Sequence, residues 1–132
     1  QLLSKEHNGD YLSKEDIKKK FNLGLNCINI APEFGFIESQ CILEELETAK
    51  DKKAYEMIYE ECLNSQKWIK WIPKEKTNKI LKDRDKILVK LSCHYIFTSD
   101  CIKMIKSNYP HLDIKIKTAL KKRIREILCQ IK

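Results

Sequence analysis

Glycine and proline are scarce in this chain of 132 residues, with 3 of each. A β-sandwich or barrel needs turn residues at short intervals, so an all-β fold is disfavoured before any pattern is read. Histidine is confined to His7, His94 and His111, and neither a His-Glu-x-x-His nor a Cys-x-x-Cys pair occurs, which removes the commonest zinc and dithiol signatures. A Gly-x-Ser-x-Gly elbow and a Gly-rich phosphate loop leading into Lys-Ser/Thr are missing as well. No apolar run approaches the roughly 18 residues of a membrane span. Arginine is rare: of 26 basic residues only Arg84, Arg123 and Arg125 are Arg, a skew that, with abundant Ile and Asn, points to an AT-rich coding genome.

What remains is a charged, helix-forming chain with 34% charged residues, 42% hydrophobic residues and a net charge of +7. The length is that of one domain and suffices to bury an apolar centre. An excess of cations favours an acidic partner, although lysines spread along helices also form ordinary solvated faces.

One short run occurs twice. Phe36-Ile37-Glu38-Ser39-Gln40-Cys41-Ile42 is echoed by Ile96-Phe97-Thr98-Ser99-Asp100-Cys101-Ile102, with a Cys upstream of each (Cys27, Cys93) and another downstream (Cys62, Cys129). The doubling predicts an all-α domain of two three-helix repeats on one core. Residues 1–12 show little periodicity and are expected to form a loose arm. Repeat 1 covers 13–65, a joint with both tryptophans covers 66–73, and repeat 2 covers 74–132.

Within repeat 1, Ser13 followed by Asp16 has the form of a helix start, Pro32 to Gly35 reads as a turn, and a second helix is expected from about Glu38 to Lys50. Asp51 can cap a third, whose Ala54, Tyr55, Ile58, Tyr59 and Cys62 recur at helical spacing. Repeat 2 opens with one long helix carrying Ile80, Leu81, Ile87, Leu88, Leu91 and Tyr95. Ser99 or Thr98 caps the next, which stops before Tyr109-Pro110. The last begins near Asp113 or Thr118 and buries Leu120, Ile124, Ile127, Leu128 and Ile131.

Catalytic and metal constellations are weak. Cys93 and His94 are sequence neighbours, which on a helix point about 100° apart and do not face each other as a thiolate and its base must. The gap of seven residues between Cys93 and Cys101 lacks the close pairing of zinc ligands. The chain is therefore expected to be no enzyme and to need no cofactor or metal. Lys117, Lys121, Lys122 and Arg125 line the polar side of the last helix as a candidate interaction surface. Exposed aromatics are not near them beyond Tyr109, so a nucleic-acid partner is disfavoured. Trp68 and Trp71 are a binding hot spot or a plug sealing the core, and Ile69 and Ile72 beside them favour the plug.

Six cysteines without metal spacing point to structural disulfides in an oxidising compartment, the rival being a cytosolic protein whose free cysteines are small core residues, and Gln1 in place of Met fits a mature secreted chain or an expressed fragment. At ~1.5 Å per residue, Cys41 and Cys62 reach similar heights on a helical hairpin and are expected to pair. By the repeat Cys101 pairs with Cys129, leaving Cys27 with Cys93. A swap within a trio, such as Cys27 with Cys62, is the alternative.

Two successive units of Cys, Tyr and Cys, first Cys41, Tyr55 or Tyr59, and Cys62, then Cys101, Tyr109 and Cys129, resemble the bicycle proteins, the salivary effectors of aphids. The resemblance covers about Cys27 to Cys129. It implies a protein delivered with saliva into plant tissue, acting without catalysis on a host component. The expected function is thus a secreted, disulfide-stabilised effector that binds a host macromolecule, a protein in the first instance. The alternative is a carrier for a small apolar ligand, which needs an enclosed cavity of about 300 Å³ or more between helices.

Overall fold

The computed structural model describes residues 2–131. Gln1 and Lys132, the outer ends of the expected arm and of the second repeat, lie outside the described residues. The fold is all-α. Its helices are α1 (Lys14–Asn22), α2 (Pro32–Thr48), α3 (Lys52–Ser65), α4 (Lys74–Lys82), α5 (Ile87–Ser92), α6 (Asp100–Asn108) and α7 (Leu112–Leu128). Short 3-10 turns at Lys67–Lys70 and Cys93–Tyr95 link α3 to α4 and α5 to α6.

Helix starts follow local side-chain chemistry. Ser13 Oγ accepts from Asp16 N–H at 3.1 Å, Asp51 Oδ1 from Ala54 N–H at 3.0 Å, and Ser99 Oγ from Ile102 N–H at 3.4 Å. Each satisfies one of the amides that a helix leaves free at its first turn. Helix α2 begins at Pro32, earlier than expected, because proline at the first helical position sacrifices no hydrogen bond. The cap of α2 comes from a distance: Asp10 Oδ1 accepts from Ala31 N–H at 3.1 Å and Glu33 N–H at 2.9 Å.

That cap draws in the segment expected to be a loose arm. Lys5–Glu6 (β1) pairs in parallel with Cys27–Ile28 (β2), Ser4 N–H donates to Asn26 Oδ1 at 2.9 Å, and Gly9 N–H to Asn29 O at 3.0 Å. Gly9 is pressed on Ile28 so closely that a Cβ would lie 2.1 Å from Ile28 Cγ1. Hydrophobic periodicity could not reveal this attachment, since backbone groups carry it.

Helix α2 is the centre of the molecule and packs against α3, α5 and α7. Ile42, Leu43 and Leu46 from α2 meet Ile58, Tyr59 and Cys62 from α3, Leu88 and Val89 from α5, and Ile102, Ile105, Leu112 and Ile116 from α6 and α7. Each such Ile or Leu contributes about 1.5–3 kcal/mol through the water it sheds. Gly35, inside α2, admits the turn after α5: a Cβ there would lie 2.7 Å from His94 Cβ. The close approach offsets the roughly 0.5–1 kcal/mol that glycine costs within a helix.

The second half departs from the expected plan. The single long helix after Pro73 is two helices, α4 and α5, separated where Arg84 takes a left-handed φ of 48°. Helix α3 holds that break: Tyr55 Oη donates to Arg84 O at 2.9 Å, while the Arg84 guanidinium lies 4.1 Å from the Tyr59 ring centre and donates to Glu60 at 2.9 Å. The doubled heptapeptide also takes two conformations. In its first copy Ser39 is buried inside α2 and donates to Gly35 O at 2.7 Å, whereas in the second Ser99 stands outside α6 as its cap. The matching run therefore does not mark equivalent places in the fold.

Glu33 at the start of α2 is 6% exposed and meets Arg123 of α7, whose Nε donates to Glu33 Oε1 at 2.6 Å. Tyr11 N–H donates to the other carboxylate oxygen at 2.8 Å, and Arg123 Nη2 donates to Leu12 O at 2.9 Å. Removing one member of a buried ion pair strands the other. Arg123→Met is accordingly expected to cost about 3–5 kcal/mol in chemical denaturation, with the double variant Arg123→Met/Glu33→Leu recovering part of that loss. A single variant as stable as the wild type would contradict the pairing.

Asp51 caps α3 and also accepts from Tyr109 Oη at 2.8 Å, joining the α2–α3 turn to the end of α6. The Ala54 amide first, and the Tyr109 hydroxyl second, hold the Asp51 carboxyl below its usual value. Its contribution is therefore complete above the ordinary Asp value near ~3.9 and is lost as pH falls through the lowered one. Melting curves across acid pH should show Asp51→Asn to be less stable at neutrality and flatter below about pH 4. A parallel acid limb in both proteins would refute this role.

Candidate functional site

Helix α7 has three kinds of surface. Leu112, Ile116 and Ile127 are buried, and Arg123 leans inward to Glu33. Lys117, Lys121 and Arg125, spaced i, i+4 and i+8, form an exposed row with Lys122 beside it. Among the described residues none of these four cations pairs with a carboxylate. Some cations elsewhere are paired, Lys86 lying 2.8 Å from Glu47 and Lys106 3.1 Å from both Glu38 and Asp113, while lysines of α1, α3 and α4 such as Lys18, Lys53 and Lys79 are as unpaired among the described residues as those of α7. With Lys14 from α1, Lys121, Lys122 and Arg125 border a surface cleft of about 530 Å³ in which Glu126 is the single acid.

The third surface is apolar and overturns an expectation. Ile124 and Leu128 were expected inside, but they are 40% and 58% exposed, and Ile131 is 36% exposed. An apolar stripe of about 100° is what one helix can bury, and α7 carries hydrophobic residues over a wider arc. That excess width is the signal in the sequence that could have found them. With Phe21 of α1, Ile28, Ile30 and Phe34, these residues line an open groove of about 500 Å³ without a charged side chain.

The tryptophans part company. Trp68 is buried in the core and its indole N–H donates to Leu63 O at 3.1 Å. Trp71 is half-buried, donates to Tyr95 Oη at 3.3 Å, and has the Lys70 ammonium 5.3 Å from its ring centre. His94 lies against Tyr95 with ring centres 3.9 Å apart, and burial followed by the charge of Lys70 pushes its pKa down. This aromatic group belongs to the α3–α6 side of the chain, and the basic row belongs to α7.

All six cysteines, Cys27, Cys41, Cys62, Cys93, Cys101 and Cys129, are free. The expected bonds Cys41–Cys62, Cys101–Cys129 and Cys27–Cys93 are not formed. Cys62 and Cys93 instead lie in the same core cluster, and both thiols are fully buried. Contact with Cys62, then burial, drives the Cys93 pKa well up. Burial and the neighbouring Glu61 push Cys101 up to about 11. Cys27 and Cys129 are exposed, each at the edge of a cleft beside α7. Among the described residues no cluster of His, Cys, Asp and Glu could hold a metal ion, and no helix is long and apolar enough to cross a membrane.

Comparison with known proteins brings no match from any family model, curated protein or solved structure.

Only a thiolate attacks an alkylating reagent, so raised pKa and burial both slow the reaction. With iodoacetamide on the reduced native protein, mass spectrometry of peptides should show Cys27 and Cys129 labelled first and Cys41 and Cys101 later. Cys62 and Cys93 should react only when denaturant opens the core. Early labelling of either would contradict their packing.

Proposed function

We propose that this protein is a non-enzymatic interaction protein that engages an acidic macromolecule, in the first instance a protein, through the basic row of α7. The observation that carries the reading is the set Lys117, Lys121, Lys122 and Arg125, exposed together and uncompensated by any carboxylate among the described residues. A row of like charges repels itself, and an acidic partner relieves that repulsion while speeding encounter. Trp68, held in the core, has no part in this surface. Trp71 is a separate, partly open aromatic.

The finer reading is a secreted effector delivered into host tissue, with two repeats stapled by disulfides. It rests on the cysteine count and the resemblance to bicycle proteins, the doubled heptapeptide lending it no support. A non-reducing peptide map of protein recovered from its natural compartment tests it: six free thiols there would end the disulfide part. The second reading, an apolar carrier, is favoured by the groove beside α7, although that groove is open to solvent where a carrier needs enclosure.

The charge reversal Lys121→Glu/Lys122→Glu/Arg125→Glu changes an exposed face and should leave the melting temperature almost unchanged. Capture of acidic proteins from a host extract should fall at least tenfold in this variant and weaken with salt in the wild type. Equal capture by both proteins, or capture of nucleic acid instead, would refute the basic row as a protein-binding surface.

A further inference from the structure

The groove beside the basic row is an open apolar channel. Its floor and walls are Phe21, Ile28, Ile30, Phe34, Ile124 and Leu128, and its polar groups are the uncharged amides Asn26 and Asn29. Leu128, at 58% exposed, is a large apolar side chain held in water next to other apolar side chains. Contiguous apolar surface rimmed by polar groups marks a docking site, in contrast to isolated exposed residues.

The rim supplies the second half of the argument. On α7, Lys121 precedes Ile124 by three residues and Arg125 precedes Leu128 by three, so each apolar wall residue has a cation one turn back. Lys117 extends that line toward the N-terminal end of α7. A ligand filling the groove with apolar groups therefore meets positive charge along one edge, spaced at the pitch of a helix. Carboxylates at i and i+4 on a partner helix stand about 6 Å apart, which is the spacing of Lys117, Lys121 and Arg125 along α7.

We infer that the groove binds an amphipathic α-helix of a partner protein, with Leu- or Ile-type residues at i, i+3, i+4 and i+7 in the apolar channel and Asp or Glu on the flank facing Lys117, Lys121 and Arg125. The inference rests on the proposed interaction role and gives the partner's shape and charge. The helix-in-groove mode obtains its affinity from the apolar anchors and its selectivity from the flanking charges.

The test uses the full-length protein and a fluorescein-labelled 18-residue synthetic helix with Leu at those positions and Glu on one flank, read by fluorescence anisotropy. A counterpart with Lys in place of Glu is the control. The Glu peptide should bind at least tenfold more tightly than the Lys peptide, and its affinity should fall with added salt. Leu128→Asp and, separately, Lys121→Glu/Arg125→Glu should each weaken it tenfold or more while circular dichroism stays unchanged. Equal binding of the two peptides, or indifference to Leu128→Asp, overturns the inference. So does oleate binding that Leu128→Asp abolishes where the peptide does not bind, or a wild-type dimer that Leu128→Asp converts to monomer. If Lys121→Glu/Lys122→Glu/Arg125→Glu abolishes capture from extract and Leu128→Asp leaves it intact, the basic-row reading stands and the groove reading falls. If Leu128→Asp abolishes peptide binding and the charge reversals leave it intact, the inference of an acidic flank falls, and the basic-row reading is decided by capture from extract alone.

Discussion

A carboxylate that gives up its water must be met by a cation and by hydrogen-bond donors, and at Glu33 those are Arg123 and the Tyr11 amide. The geometry that satisfies this one group sets the positions of three parts of the chain. It fixes where α2 begins, how the segment before α1 returns across it, and the rotation of α7 about its own axis. Once Arg123 points inward, Lys117, Lys121 and Arg125 must point outward, because the helical repeat leaves them no other side. The surface proposed to bind a partner is thus a consequence of an internal ion pair.

What was legible in the residues was local. Ser13, Asp51 and Ser99 cap helices because a side-chain oxygen reaches an amide three residues on, and no tertiary knowledge is needed to see that. The apolar spacing of α3 needs none either. The break at Arg84 was invisible, since it depends on Tyr55 and Glu60 arriving from another helix. The doubled heptapeptide misled for a related reason: a Ser followed by a Cys and an Ile fits a helix interior and a helix start equally well, and neighbours decide between them.

The candidate site was legible by half. Lys117, Lys121, Lys122 and Arg125 lie where the helical period puts them. Ile124 and Leu128 were assigned to the core because apolar residues are the usual core-formers, yet α7 has more of them than one contact face can cover. The cysteines were the harder problem. Similar heights along a hairpin bring Cys41 and Cys62 level, but height says nothing of azimuth, and Cys62 is buried in the core with Cys93.

Arg123 reaches Leu12 across 111 positions of the chain. On a ribosome, where the amino end emerges first, Glu33 is exposed long before its counter-ion exists. Residues 2–12 can pair with the 26–29 stretch at once, but the carboxylate they enclose stays hydrated until the last helix has been made. The middle helices can assemble before α7 is made, while the contacts of Arg123 with Glu33 and Leu12 form only after it.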